Sequence, residues 1–209
     1  KNELVNKFSI DNMILIPSGT VFTVDATLLR QITLQDILLN VYNSKNPGNI
    51  EVLTIPGNHQ EMVFKLRTSE KPFALIKIGD ISNWSNWLKN EFEEYEINES
   101  FDNASVFAKI NKDDSDINIL MGSRTFYEGW DSNRPNIILF INIGIGSDAK
   151  KFVLQATGRG VRIEPIKNER KRLQHLYTIK KIKEILYRKI KHYILPIETL
   201  FIFGTNAEA

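Results

Sequence analysis

Six short apolar runs constrain this chain more than any other feature: MILIP (13–17), IEVLTI (50–55), FALIKIG (73–79), INILMG (117–122), NIILFINIG (136–144) and ETLFIFG (198–204). Each is bounded by turn residues and is nearly continuous rather than alternating, the pattern of strands covered on both faces in a parallel sheet. Helical periodicity fills the intervals. One helix is predicted over about 26–44, a second from Ser82 through NWSNWLKNEFEEY, and a third from the N-cap pair Ser147-Asp148 through AKKFVLQATG. The longest is predicted over 174–193, where Leu176, Ile179, Ile182, Leu186, Ile190 and Tyr193 recur at spacings of three and four, with Pro196 following its end. Strand and helix in alternation predict an α/β fold with right-handed crossovers. Residues 56–72 (PGNHQEMVFKLRTSEKP) read as an irregular connection.

The 209 residues, 42% of them hydrophobic, suffice for one domain, or one domain with a large insertion, without disulfides or a structural metal. The absence of cysteine excludes a disulfide framework, a thiolate metal site and a cysteine nucleophile, and fits a cytoplasmic setting. No run approaches the roughly 20 residues of a membrane-spanning helix, so no membrane partner is expected. The opening KNELVNKFSIDN is neither a signal peptide nor begun by methionine, which predicts a piece of a longer chain.

A net charge of +2 conceals an asymmetry. Between Lys167 and Lys191 stand ten Lys or Arg against two acids, Glu169 and Glu184, while Glu91 to Asp102 concentrates six acids. Such a basic block is either the solvated face of a helix or a nucleic-acid footprint. His59, His175 and His192 lack metal-ligand spacing, so no metal site is predicted. Trp84 and Trp87, one helical turn apart, read as packing residues, with base stacking as the alternative.

In open α/β sheets ligands bind beyond the carboxyl ends of the strands, which directs attention to three segments. GIGSDA (144–149) satisfies G-x-G-x-x-A between a strand and a helix, with Glu164 about 20 residues on, the outline of a dinucleotide site. A glycine pair at a strand-to-helix turn also arises without any ligand. GSRTFYEGWDSNRP (122–135) follows the strand INILM, and FVLQATGRGVR (152–162) ends in Arg159 and Arg162. Gly158 and Gly160 beside these arginines are expected to turn the backbone. The two guanidinium forks would match phosphate oxygens, or would pair with acids such as Glu164 or Glu128.

The order and register of these segments resemble the second RecA-like domain of superfamily-two helicases. Gln155, Gly158, Arg159 and Arg162 match the family's sixth motif, and Ser123 followed by Gly129, Trp130 and Asp131 matches its fifth. The tract EGWDSNRPN and the late strand ETLFIFG resemble, more narrowly, the Res subunits of type III restriction enzymes and their DEAD/DEAH-type relatives. The likeness extends from about Phe73 to Gly204. Residues 1–72 are expected to hold a first strand and helix, with room for an insertion.

The resemblance implies a RecA-like three-layer fold with a mainly parallel central sheet and flanking helices over 1–209. It implies that Arg159 and Arg162 reach ATP phosphates across an interdomain cleft, with Gln155, Gly158, Gly129 and Asp131 bordering the nucleotide. Ser123, Arg124 and Thr125 would touch DNA phosphates. ATP with Mg²⁺ is the implied cofactor, its metal held by a first RecA-like domain. The implied partners are that domain, DNA, and a modification (methyltransferase) subunit. No G-x-x-x-x-G-K-[ST] loop, no strand ending in Asp-Glu and no nuclease carboxylate–lysine set occurs here, so the 209 residues alone are expected to hydrolyse little ATP. A non-motor nucleic-acid-binding module and a dinucleotide-dependent enzyme remain the alternatives.

Overall fold

The computed structural model describes residues 30–92, 95–123, 132, 134–144, 146–160 and 164–204, and the expected strand 13–17 lies outside them. The chain divides into two compact units, one of residues 1–107 with 116–121, the other of 108–115 with 122–209.

In the first unit, the helix predicted over 26–44 is broken at Ile32-Thr33, after helical Arg30 and Gln31, and resumes as helix α1 (Leu34–Asn40); residues 26–29 lie outside the described ones. Thr33 and Asp36 form a reciprocal capping box that starts it afresh, the Thr33 hydroxyl accepting from the Asp36 amide and the Asp36 carboxylate from the Thr33 amide. Strand β1 (Ile50–Ile55) coincides with the predicted run. The supposed connection at 56–72 is in fact strand β2 (Asn58–Leu66), antiparallel to β1 and to β3 (Pro72–Lys77). Pro56-Gly57 is the reason. Pro presets φ at the second position of a tight turn, and Gly57 takes φ 72° at the third, so the chain reverses after Ile55.

Helix α2 (Ser82–Glu91) follows, then β4 (Glu96–Glu99), which pairs parallel with β1. This strand was unpredicted, lying in the acidic stretch. It sets Glu96 beside Glu51, a like-charge pair that Lys65 relieves at 3.1 Å from Glu51, while Arg67 pairs with Glu96. With β5 (Ile119–Gly122) the order is β4-β1-β2-β3-β5. The sheet is therefore mixed, not mainly parallel as expected, because short turns join β1, β2 and β3 where a parallel sheet needs crossovers. The coarse α/β class stands.

Met62 stands opposite Ile76, and Val52, on the same face of the sheet one step along β1, packs with them, with Ile81 at the cap of α2 and with Leu88 on it. Leu38 of α1 packs with Leu66, Phe73 and Ala74. Full burial of such side chains stabilises by about 1.5–3 kcal/mol each. Trp84 and Trp87 are not part of this core. They stand half-exposed, edge to face with centroids 5.5 Å apart, and Trp87 continues onto Phe92.

In the second unit, β6 (Ile137–Phe140) and β7 (Phe201–Gly204) form a parallel pair, connected through helix α3 (Ser147–Gly160) and two further helices. The single helix predicted over 174–193 is α4 (Leu173–Thr178) and α5 (Glu184–Ile197). Lys180 at φ 60° ends α4, the Lys180 amide donating to the Tyr177 carbonyl and the Lys181 amide to the Leu176 carbonyl. The reversal lets Ile182 fold back onto Leu173 and Leu176, and Tyr177 stacks on Tyr187 at 4.5 Å. Helix α5 runs past Pro196 rather than stopping before it.

Candidate functional site

The turn from β6 into α3 accounts for GIGSDA. Asn142, Gly144 and Gly146 take φ 49°, 80° and 106°, so the two glycines sit where L side chains are strained. The carbonyl of Gly146 accepts the first helical bond, from the Lys150 amide at 3.1 Å. Gly146 thus occupies the cap position expected of Ser147-Asp148, and the helix begins at Ser147. Glu164 itself lies outside any strand, the residues before it (161–163) lie outside the described ones, and its carboxylate accepts from the backbone amide of Asn168. Backbone geometry therefore explains the glycines without a dinucleotide.

Helix α3 lays one stripe on the sheet. Ala149 is buried, Phe152 meets Phe140 at 5.6 Å in a T-shape, and Val153 and Ala156 are half-buried. Gly160 closes this stripe, and a side chain here would crowd its neighbours. A Cβ at that position would lie 2.6 Å from Leu200 Cδ1 and 3.1 Å from Ile138 Cδ1.

The flank of the same helix carries the predicted residues. Contrary to expectation, Gly158 and Gly160 do not turn the chain; α3 continues through Gly160 with Arg159 in its last turn. Because the helix persists, Gln155, Gly158 and Arg159 fall at i, i+3 and i+4, one continuous stripe. Gln155 and Gly158 are exposed. Gly158 has no positive φ, and a Cβ there would meet nothing within 4 Å. A helical glycine costs about 1 kcal/mol relative to alanine. At Gly160 the Leu200 and Ile138 side chains would have to give way to a side chain; at Gly158 nothing among the described residues would.

Of the other predicted residues, Ser123 is exposed just beyond β5. Arg124, Thr125, Gly129, Asp131 and Arg162 lie outside the described residues, as do Glu128 and Trp130. Within the diagnostic tract, Arg134 has a structural task that sequence reasoning missed. Its guanidinium donates to the carbonyls of Ile110 at 2.5 Å and Ser115 at 3.3 Å, pinning the segment 108–115.

Sequence reasoning also missed Glu61, which is fully buried on β2. Its carboxylate accepts from the Ser105 hydroxyl at 2.7 Å and from the amides of Val106 and Phe107 at 2.9 and 3.1 Å, with Lys77 Nζ at 3.3 Å. Burial pushes the carboxyl up, but the bonds from Ser105, Phe107, Asn58 and Lys77 outweigh it and hold it below the ordinary glutamate range. These partners all belong to the fold itself, so Glu61 anchors the 105–107 turn. An acid between a glutamine and a methionine carries no sequence signal of that role.

Among the described residues no group of three or more His, Asp or Glu gathers as a metal site, and no helix is long and apolar enough to cross a membrane. No protein-family model matches the chain, and no curated protein or solved structure matches it either.

Proposed function

We propose that the chain is the second motor domain of an ATP-dependent DNA helicase or translocase of the type III restriction kind, completing its ATP site against a first RecA-like domain. The observation that carries this reading is the α3 flank: an exposed helical glycine that packing does not require, set between Gln155 and Arg159 on one stripe. A glycine there leaves room for another surface to approach the helix backbone closely. The parallel β6–β7 pair, with α3 laid against it, supports a RecA-like arrangement in the second unit.

ATP with Mg²⁺, held by the first domain, would supply the phosphoanhydride whose cleavage drives the motor. The chain's own residues would bind and orient. Arg159 and Arg162 would place fixed positive charge where charge develops on the transferring phosphoryl, and Gln155 would register whether the cleft is closed. Gly129 and Asp131 would border the sugar, and Ser123, Arg124 and Thr125 would hold DNA phosphates without reading sequence. A modification (methyltransferase) subunit would be its partner protein.

The test is DNA-stimulated ATPase of the full-length native protein. Arg159→Ala is expected to lower turnover by about 10³-fold or more with an unchanged melting curve. Gly158→Ala, which fills only open space, is expected to lower turnover while leaving the fold at least as stable. Wild-type turnover in Arg159→Ala would overturn the motor reading and move the non-motor binding module to the front.

A further inference from the structure

We infer that the α4–α5 helical hairpin is a nucleic-acid phosphate-binding surface, separate from the loop after β5. All ten lysines and arginines between Lys167 and Lys191 are exposed. The two acids of that segment are already engaged, Glu169 with Lys181 and Glu184 with Arg188, and Lys167 pairs with Asp113. The remaining seven cations make no ion pair among the described residues. They come from three places: Arg170, Lys171 and Arg172 lead into α4, Lys180 and Lys183 lie in the reversal, and Lys189 and Lys191 lie on α5.

Seven exposed cations without an acid partner among the described residues repel one another and create a positive field that attracts a polyanion. The hairpin is folded around its own core of Leu173, Leu176 and Ile182, with Ile190 and Ile194 packed against it. On α5, Tyr187, Ile190 and Ile194 pack toward this core, while Ile185, Leu186, Tyr193, Leu195 and Ile197 stay exposed, so a lipid surface is the competing occupant that the vesicle arm of the experiment tests. Arginine forks and lysine ammoniums drawn from several backbone positions suit the repeating phosphates of a duplex. The identity of the polyanion as DNA rests on the motor reading above.

The experiment measures binding of the full-length native protein to a labelled duplex of arbitrary sequence, about 20 base pairs long, as salt is varied. The variant combines Lys171→Gln, Lys183→Gln, Lys189→Gln and Lys191→Gln. These exposed side chains make no bond among the described residues, so thermal melting should be unchanged. Four lost phosphate contacts are expected to weaken binding on the order of 100-fold and to flatten the slope of log affinity against log salt by about 2 to 4. Lysine-to-arginine changes at the same positions should preserve both. Unchanged affinity and slope in the glutamine variant would overturn the proposal, as would loss only of binding to phosphatidylserine vesicles. ATPase in the arginine-finger variant and salt slope in this one are separate readouts, so either reading fails without the other.

Discussion

Strands β3 and β6 are almost equally apolar, yet they end in different surroundings. In β3, Phe73, Ala74, Leu75 and Ile76 are all buried. On β6, Ile137 and Leu139, with Ile141 just beyond, are 61%, 56% and 62% exposed, and only the alternate face, through Ile138 and Phe140, meets α3 and its neighbours. The difference lies in company, not in composition. β3 has β2 on one side and β5 on the other, whereas among the described residues the sheet containing β6 has two strands. An apolar run states what a strand tolerates; the number of neighbours decides what it receives.

The largest test of this contrast is a pair of truncations. Leu75→Ala is expected to lower unfolding stability by about 2–5 kcal/mol, since it empties a fully enclosed site. Leu139→Ala should stay within about 0.5 kcal/mol, as exposed positions do. Urea denaturation read by far-ultraviolet circular dichroism measures both. An equal cost for the two would mean that the β6 face is covered in solution.

A smaller effect distinguishes the polar interior of the first unit. Glu61→Gln is expected to cost about 2 kcal/mol, because one amide oxygen replaces a carboxylate that satisfies three donors and faces Lys77. Since the Glu61 carboxyl is held below its ordinary value of 4.5, its contribution is complete above that pH and is lost as pH falls through the lower folded value. The denaturation midpoint of the wild type should hold from neutrality to about pH 5 and fall in more acid solution, with a shallower fall in Glu61→Gln. Identical acid profiles would remove Glu61 from the account.

The smallest effects separate the two glycines of α3. Gly160→Ala should destabilise by about 1 kcal/mol, the overlap with Leu200 and Ile138 exceeding the gain in helix propensity. Gly158→Ala should stabilise by up to about 1 kcal/mol. Thermal melting reads the signs. Equal signs would erase the distinction between a glycine kept for packing and one kept for approach.

Much of the fold was legible in the runs themselves. β1 matches its predicted bounds, α2 begins at the predicted Ser82, and α3 occupies the predicted interval. Two errors share a cause. The polar residues of β2 hid a strand whose Pro56-Gly57 turn was visible, and the regular spacing from Leu176 to Tyr193 hid a break at Lys180. Periodicity records which residues prefer burial, and it continues unaltered when the chain doubles back to bury them. At the site, the resemblance to a helicase motif supplied Gln155, Gly158 and Arg159; that they share one helical stripe depended on α3 continuing through Gly160.

Sequence by itself determined the α/β class, the apolar segments, the charge asymmetry and the residues whose chemistry suits phosphate, because these follow from composition and local preference. Tertiary structure alone decided the mixed direction of the first sheet, the split of the last long helix, the burial of Glu61 and the separate reasons for two neighbouring glycines. Each of those depends on which distant atoms arrive, as Leu200 arrives at Gly160, and contacts between residues far apart in sequence have no local code.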